Sequence, residues 1–179
     1  MRKARVIGYV LAAGCAIGLM TVAATTGSMG AAPSQQTADR HGWMTYVNVR
    51  FQYSICYPAD LLVSQGEAAN SDGQRFLSSQ DGAELAAYGS NNALDETLRQ
   101  RQSDMQSRLA GASGKVTYRA QKANWFVVSG QSGETIFYAK TIYSHGQFKS
   151  FELTYDRSAA ALYDPVVARL AACFTDLVR

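Results

Sequence analysis

The chain has 179 residues, 47% hydrophobic and 17% charged, with a formal net charge of +3. That length suits one domain; the apolar content excludes a disordered tail, and 3 Cys are too few for a disulfide-dense miniprotein. Arg2, Lys3 and Arg5 sit in the first five residues, and beyond them 14 basic residues face 14 acidic ones, so no nucleic-acid surface is expected.

Residues 6–24 (VIGYVLAAGCAIGLMTVAA) follow those charges without a charge of their own. A basic start followed by an apolar run is the pattern of an export signal, and Val22-Ala23-Ala24 offers small residues for cleavage after Ala24. Two alternatives stay open. Nineteen apolar residues could span a bilayer core of about 30 Å as an uncleaved anchor. Ala12-Ala13-Gly14-Cys15 resembles a lipoprotein box with Cys15 as the acylated residue. Each reading puts the domain outside the cytoplasm, in the periplasm or cell envelope, with membrane contact only through this segment. Residues 25–44 read as a flexible leader, and 45–179 as a single domain.

After cleavage two cysteines remain, Cys56 and Cys173. An even count in an oxidising compartment predicts a disulfide between them, with two separate buried thiols as the alternative.

Along the domain, the alternation in 45–53 predicts a strand with Val47, Val49, Phe51 and Tyr53 facing the core and Tyr46, Asn48, Arg50 and Gln52 facing out. It continues or restarts at 54–57 and stops at Pro58. Residues 67–73 read as a loop, and Gln80-Asp81-Gly82 joins strands 74–78 and 83–88 into a hairpin. Asn92 is the expected N-cap of a helix over 93–110, with Leu94, Leu98, Met105 and Leu109 as its apolar stripe. Four strands follow, at 115–121, 124–130, 134–143 and 147–155, with joints of hairpin length that predict an antiparallel meander. Leu162, Val166, Leu170, Cys173, Phe174 and Leu177 recur at helical spacing. Asp164-Pro165 leaves two readings there: one helix kinked at 164, or a turn from Ser158 before a helix starting at 165. The fold class is α+β, helices packed on an antiparallel sheet.

Phe51, Tyr53, Ile55, Tyr57 and Pro58 form an F-x-Y-x-I-x-Y-P opening, followed by Asp81-Gly82 after Phe76 and by Tyr163-Asp164-Pro165-Val166-Val167 through Cys173-Phe174. With the order of elements, these residues resemble the superfamily of PsbP-type photosystem extrinsic proteins and DcrB-type envelope proteins, whose fold a Ran-binding nuclear import factor shares. The resemblance implies an αβα sandwich over about 45–179, no cofactor, and a binding or assembly role, with no catalytic set to carry over.

The residues themselves offer little chemistry. His41 precedes the domain and His145 falls in a turn; neither has a partner at metal-ligand spacing, so no metal site is expected. Ser129 and Ser132 read as turn punctuation, and no nucleophile elbow or phosphate loop is present. Arg99, Arg101 and Arg108 form a mildly basic helix face, and Tyr46, Tyr88 and Tyr138 are candidate surface contacts. The expectation is an exported, monomeric, non-catalytic binding or assembly factor for another envelope protein. The alternatives are a periplasmic immunity-type inhibitor of a toxin, an envelope hydrolase with a site around a Ser or His145, and a lipid-tethered spacer.

Overall fold

The computed structural model describes residues 41–178. The proposed cleavage point at Ala24 and Cys15 lie outside the described residues. The strands are β1 (Trp43–Asn48), β2 (Tyr53–Pro58), β3 (Val63–Glu67), β4 (Gly73–Leu77), β5 (Glu84–Asn91), β6 (Lys115–Gln121), β7 (Trp125–Ser132), β8 (Thr135–Ser144), β9 (Gln147–Asp156) and β10 (Thr175–Asp176). Helix α1 (Leu98–Ala110) lies between β5 and β6, and α2 (Ala160–Cys173) follows β9. Seven strands form one sheet in the order β3-β4-β5-β9-β8-β7-β6, and three form another in the order β1-β2-β10. Every pairing is antiparallel. The expected α+β class, hairpin and four-strand meander are all present.

The first strand differs from expectation. Residues 49–52 are a turn, closed by Asn48 Oδ1 accepting the Phe51 N–H at 2.7 Å and by Gln52 at φ +52°. β1 then folds back on β2, Asn48 opposite Tyr53 and Trp43 opposite Pro58. The turn resets the alternation, so the face assignment inverts for residues 46–49, while Phe51 and Tyr53 are buried and Arg50 and Gln52 exposed as expected. Tyr46 and Asn48 are buried, while Val47 and Val49 are 49% and 83% exposed. Buried Asn48 can stay because its polar atoms are satisfied: Nδ2 donates to Tyr46 Oη at 2.9 Å, Glu67 Oε1 at 2.8 Å and the Ser71 carbonyl at 3.1 Å. This knot ties the first hairpin to the connection between β3 and β4. The strand β3 has no counterpart in the sequence pattern: all five of its residues are exposed, so it carries no apolar period.

Helix α1 starts at Leu98, five residues later than expected. Asn92 does cap, but it caps an isolated turn: its Oδ1 accepts the Glu96 N–H at 2.8 Å and its Nδ2 donates to the Glu96 carbonyl at 3.0 Å. Asp95 at φ +52° interrupts helical geometry there, leaving Leu94 82% exposed. Thr97 is the true N-cap. Its Oγ1 accepts the Gln100 N–H at 3.2 Å while Gln100 Oε1 accepts the Thr97 N–H at 2.8 Å, a reciprocal capping box.

At the other end, a 3-10 turn (Arg157–Ala159) leads into α2, one uninterrupted helix with Pro165 inside it. Tyr163, Val166 and Leu170 are its buried stripe, and Phe174 follows. Leu177 departs from that stripe. The chain leaves the helix to form β10, with Thr175 opposite Ser54 and Asp176 opposite Tyr53, and Leu177 is 45% exposed. Cys56 on β2 and Cys173 at the end of α2 are joined by a disulfide, Cα–Cα 5.8 Å across 117 positions.

The layers follow from strand alternation. One face of the large sheet, with Leu85, Phe151 and Leu153, packs against α2 and the small sheet through Tyr53, Ile55, Tyr163 and Phe174. The opposite face, with Phe126, Val128 and Ala139, is covered by Met105 of α1.

Candidate functional site

Helix α1 covers one sheet face over β6, β7 and β8, and a hollow opens on either side of it. The first, about 560 Å³, is lined by Tyr88, Arg101, Asp104, Met105, Arg108 and Glu152. Three of its charged groups, Arg101, Arg108 and Glu152, are engaged in pairs within the fold. Glu152 Oε2 accepts from Arg108 at 3.0 Å, and Oε1 accepts from the Tyr88 hydroxyl. Arg101 lies 3.5 Å from Glu96, 3.4 Å from Ser90 Oγ and 5.1 Å above the Phe148 ring. Burial pushes the Tyr88 phenol up, and the neighbouring Glu152 charge adds to it. That phenol is a donor, not a base.

The second hollow, about 710 Å³, lies between α1 and β6 and is lined by Arg99, Gln102, Ser103, Gln106, Arg119, Gln121 and Lys122. Arg119 and Gln121 point to this side because they stand opposite Val128 and Phe126, the residues α1 covers. Gln102, 8% exposed, sets the helix against the strands by donating from Nε2 to the carbonyls of Ala120 and Val127, each at 3.4 Å. No carboxylate lines this groove, and Arg99, Arg119 and Lys122 make no ion pair among the described residues. The groove continues into a third hollow of about 450 Å³ that shares Arg99, Gln121 and Lys122 and adds Leu98, Ala123 and Tyr143. Glu96 borders that end but is held by Arg101. Three uncompensated cations in one concavity focus potential on it and favour an anion.

The residues singled out from the sequence fall out as follows. Of the three helix arginines, Arg101 and Arg108 serve internal pairs and Arg99 alone faces the groove. Arg119 and Lys122 escaped notice because they belong to a strand and its turn. Placing them beside Arg99 requires knowing that α1 packs on β6 and β7. His41 Nδ1 lies 2.6 Å from Asp60 Oδ2; burial works to raise the Asp60 carboxyl, but the His41 bond and charge together with backbone N–H bonds outweigh it, and the carboxyl is lowered. His145 is exposed at φ +51° in the turn between β8 and β9. Ser129 Oγ donates to the Phe137 carbonyl and Ser132 Oγ to the Ala110 carbonyl, both at 3.0 Å. Of the three tyrosines expected on the surface, Tyr46 is buried at 9%, with its hydroxyl on Glu67, and Tyr88 and Tyr138 are half-buried.

The buried phenols have a measurable consequence. Burial raises Tyr46, Tyr138 and Tyr163 to about 12, and raises Tyr53, Tyr88 and Tyr155 further. The folded state prefers each of them neutral. The associated stability is complete below the ordinary tyrosine value near 10 and is lost as pH rises through the raised values. Alkaline titration followed by phenolate absorbance should show these tyrosines ionising only as the protein unfolds, together with loss of its circular dichroism. Ionisation of all tyrosines near pH 10 with the fold intact would contradict the burial.

No helix among the described residues is long and apolar enough to cross a membrane. No family model and no curated protein matches the sequence. Among solved structures, the chain is similar to the cyanobacterial PsbP protein (CyanoP) from Synechocystis sp. PCC 6803. The TM-score is 0.58 and the identity 13%, over 76% of this chain and 93% of that one. The two sheets, the covering helices and this likeness together give the chain a PsbP-like fold.

Proposed function

We propose that this protein is an exported, non-catalytic binding or assembly factor that docks on another envelope protein. The observation that carries the reading is the groove between α1 and β6, where Arg99, Arg119 and Lys122 stand together without a counter-charge in its lining. Unspent charge at one concave place is what a partner with the opposite sign uses for encounter and register. The PsbP-like fold supports the reading, as does the basic, then apolar, N-terminal segment. Two of the serines weighed from the sequence, Ser129 and Ser132, donate to backbone carbonyls, which is consistent with a binding role.

The test is a crosslinked pull-down of the full chain, tagged at its C-terminus, from its native envelope. One stoichiometric partner is expected. Recovery of nothing above background would overturn the docking reading and direct attention to small ligands and lipids.

A further inference from the structure

We infer that the groove between α1 and β6 receives an extended, acidic segment of the partner polypeptide, laid beside the free edge of the seven-stranded sheet. The inference rests on the docking role proposed above and adds the chemistry of what is docked.

Three observations specify the occupant. Charge comes first: Arg99 from the helix and Arg119 and Lys122 from the strand side converge on one concavity whose cationic part has no acid in its lining, Glu96 at the far end being held by Arg101. The ligand must bring negative charge, and carboxylates pair well with guanidinium donors. The second is shape. The groove is elongated: its cationic part runs into the hollow with Leu98, Ala123 and Tyr143, through the shared Arg99, Gln121 and Lys122. A compact anion would use one end only, whereas a chain with acidic residues followed by an apolar one fills both. The third is backbone chemistry. β6 ends the strand order, so among the described residues its outer N–H and C=O groups have no strand partner. A register shift interrupts β6 between Val116 and Tyr118, but from Tyr118 to Gln121 the ladder with β7 is regular, and that stretch borders the groove. An extended peptide can add there by strand augmentation, with Gln106 and Gln121 as further amide partners.

The opposite edge makes the contrast. β3 (VSQGE) is also a free edge, yet it carries no basic residue. A flat anionic membrane is the poorer fit, because the cations line a concavity between helix and strand.

The probe is a short fluorescent peptide of alternating Asp and Leu, compared with its Asn–Leu counterpart, read by anisotropy against the whole protein. Binding of the Asp peptide is expected, weakened by salt, with the Asn peptide bound at least about tenfold more weakly. Arg99→Gln/Arg119→Gln/Lys122→Gln should lower affinity about tenfold or more. Arg50→Gln/Arg75→Gln/Arg157→Gln removes the same charge from exposed positions outside the groove and should leave affinity within about twofold. All six residues are exposed, and unchanged melting will show that both variants fold. Equal losses in the two triple variants would overturn the inference in favour of diffuse attraction. So would no binding of the Asp peptide, or binding of phosphatidylglycerol vesicles through the three groove residues in place of the peptide. The pull-down separates the two levels. If the groove variant still captures the partner of the wild type, docking stands and the groove assignment falls.

Discussion

Removing the Cys56–Cys173 bond should cost about 3–5 kcal/mol of stability, the range for a cross-link closing a loop of about 100 residues. In a domain of this size that corresponds to a fall in melting temperature of roughly 10–20 °C. The bond joins β2 to the last residue of α2, so it fastens the N-terminal hairpin to the segment that supplies β10. Its loss frees the α2–β10 segment to detach while the meander remains paired. Two measurements check this: thermal unfolding of Cys56→Ser/Cys173→Ser, and of the wild type with and without reductant under denaturing pre-treatment. The double variant is preferable to either single one, since a leftover thiol could cross-link elsewhere. An unchanged melting temperature in both experiments would show that the bond contributes nothing.

The second large effect belongs to Lys149 and Asp176. Lys149 is fully buried at the junction of β9 and β10, and its Nζ donates to Asp176 Oδ1 and, at 2.9 Å, to Ser144 Oγ. Asp176→Asn leaves a cation without its counter-charge in the interior and should cost about 3 kcal/mol, the lower part of the range for a broken buried pair. The lower part applies because the Asp176 side chain keeps 19% exposure. Lys149→Met/Asp176→Leu removes both charges and should recover most of the loss, because two apolar groups need no pairing. Urea unfolding of the three proteins decides it. The pH dependence follows the same pair. Burial tends to raise the Asp176 carboxyl, but bonds from Lys149 and Ser144 outweigh it and hold the group below its ordinary value. Stability from the pair is therefore present above the ordinary carboxylate range near pH 4 and is lost as pH falls through the lowered value. The doubly apolar variant should lack that part of the acid sensitivity.

Much of the larger sheet was readable because its signals are local. The strands expected at 115–121 and 147–155 are observed as Lys115–Gln121 and Gln147–Asp156, since each turn between them carries Gly or a short polar joint that alternation alone would locate. The disulfide was readable from parity. What escaped was long-range. Tyr46 and Asn48 looked outward-facing because the alternation was counted straight through residues 49–52, where the Asn48–Phe51 bond and the positive φ of Gln52 turn the chain back. β3 has no apolar period because nothing buries it, and β10 is two residues long. The helix start was misplaced because Asn92 and Thr97 are both capping residues, and the strained Asp95 between them decides which one opens the helix. The groove was half legible: Arg99 stood on a basic helix face, while Arg119 and Lys122 became its neighbours only through packing.

The order of strands also bears on how the chain acquires its structure. β1 with β2, β3 with β4 and β5, and β6 through β9 each join segments adjacent along the chain. Two seams do not: β5 meets β9, and β2 meets β10. A polypeptide emerging vectorially, N-terminus first, can close its local hairpins early, but β2 must wait for residues 175–176 before its second neighbour exists. High contact order of this kind slows the last step and leaves apolar surface open in the meantime. The cross-link between Cys56 and Cys173 sits beside that final seam, so oxidation should act as the latch that marks completed assembly rather than as a guide to it.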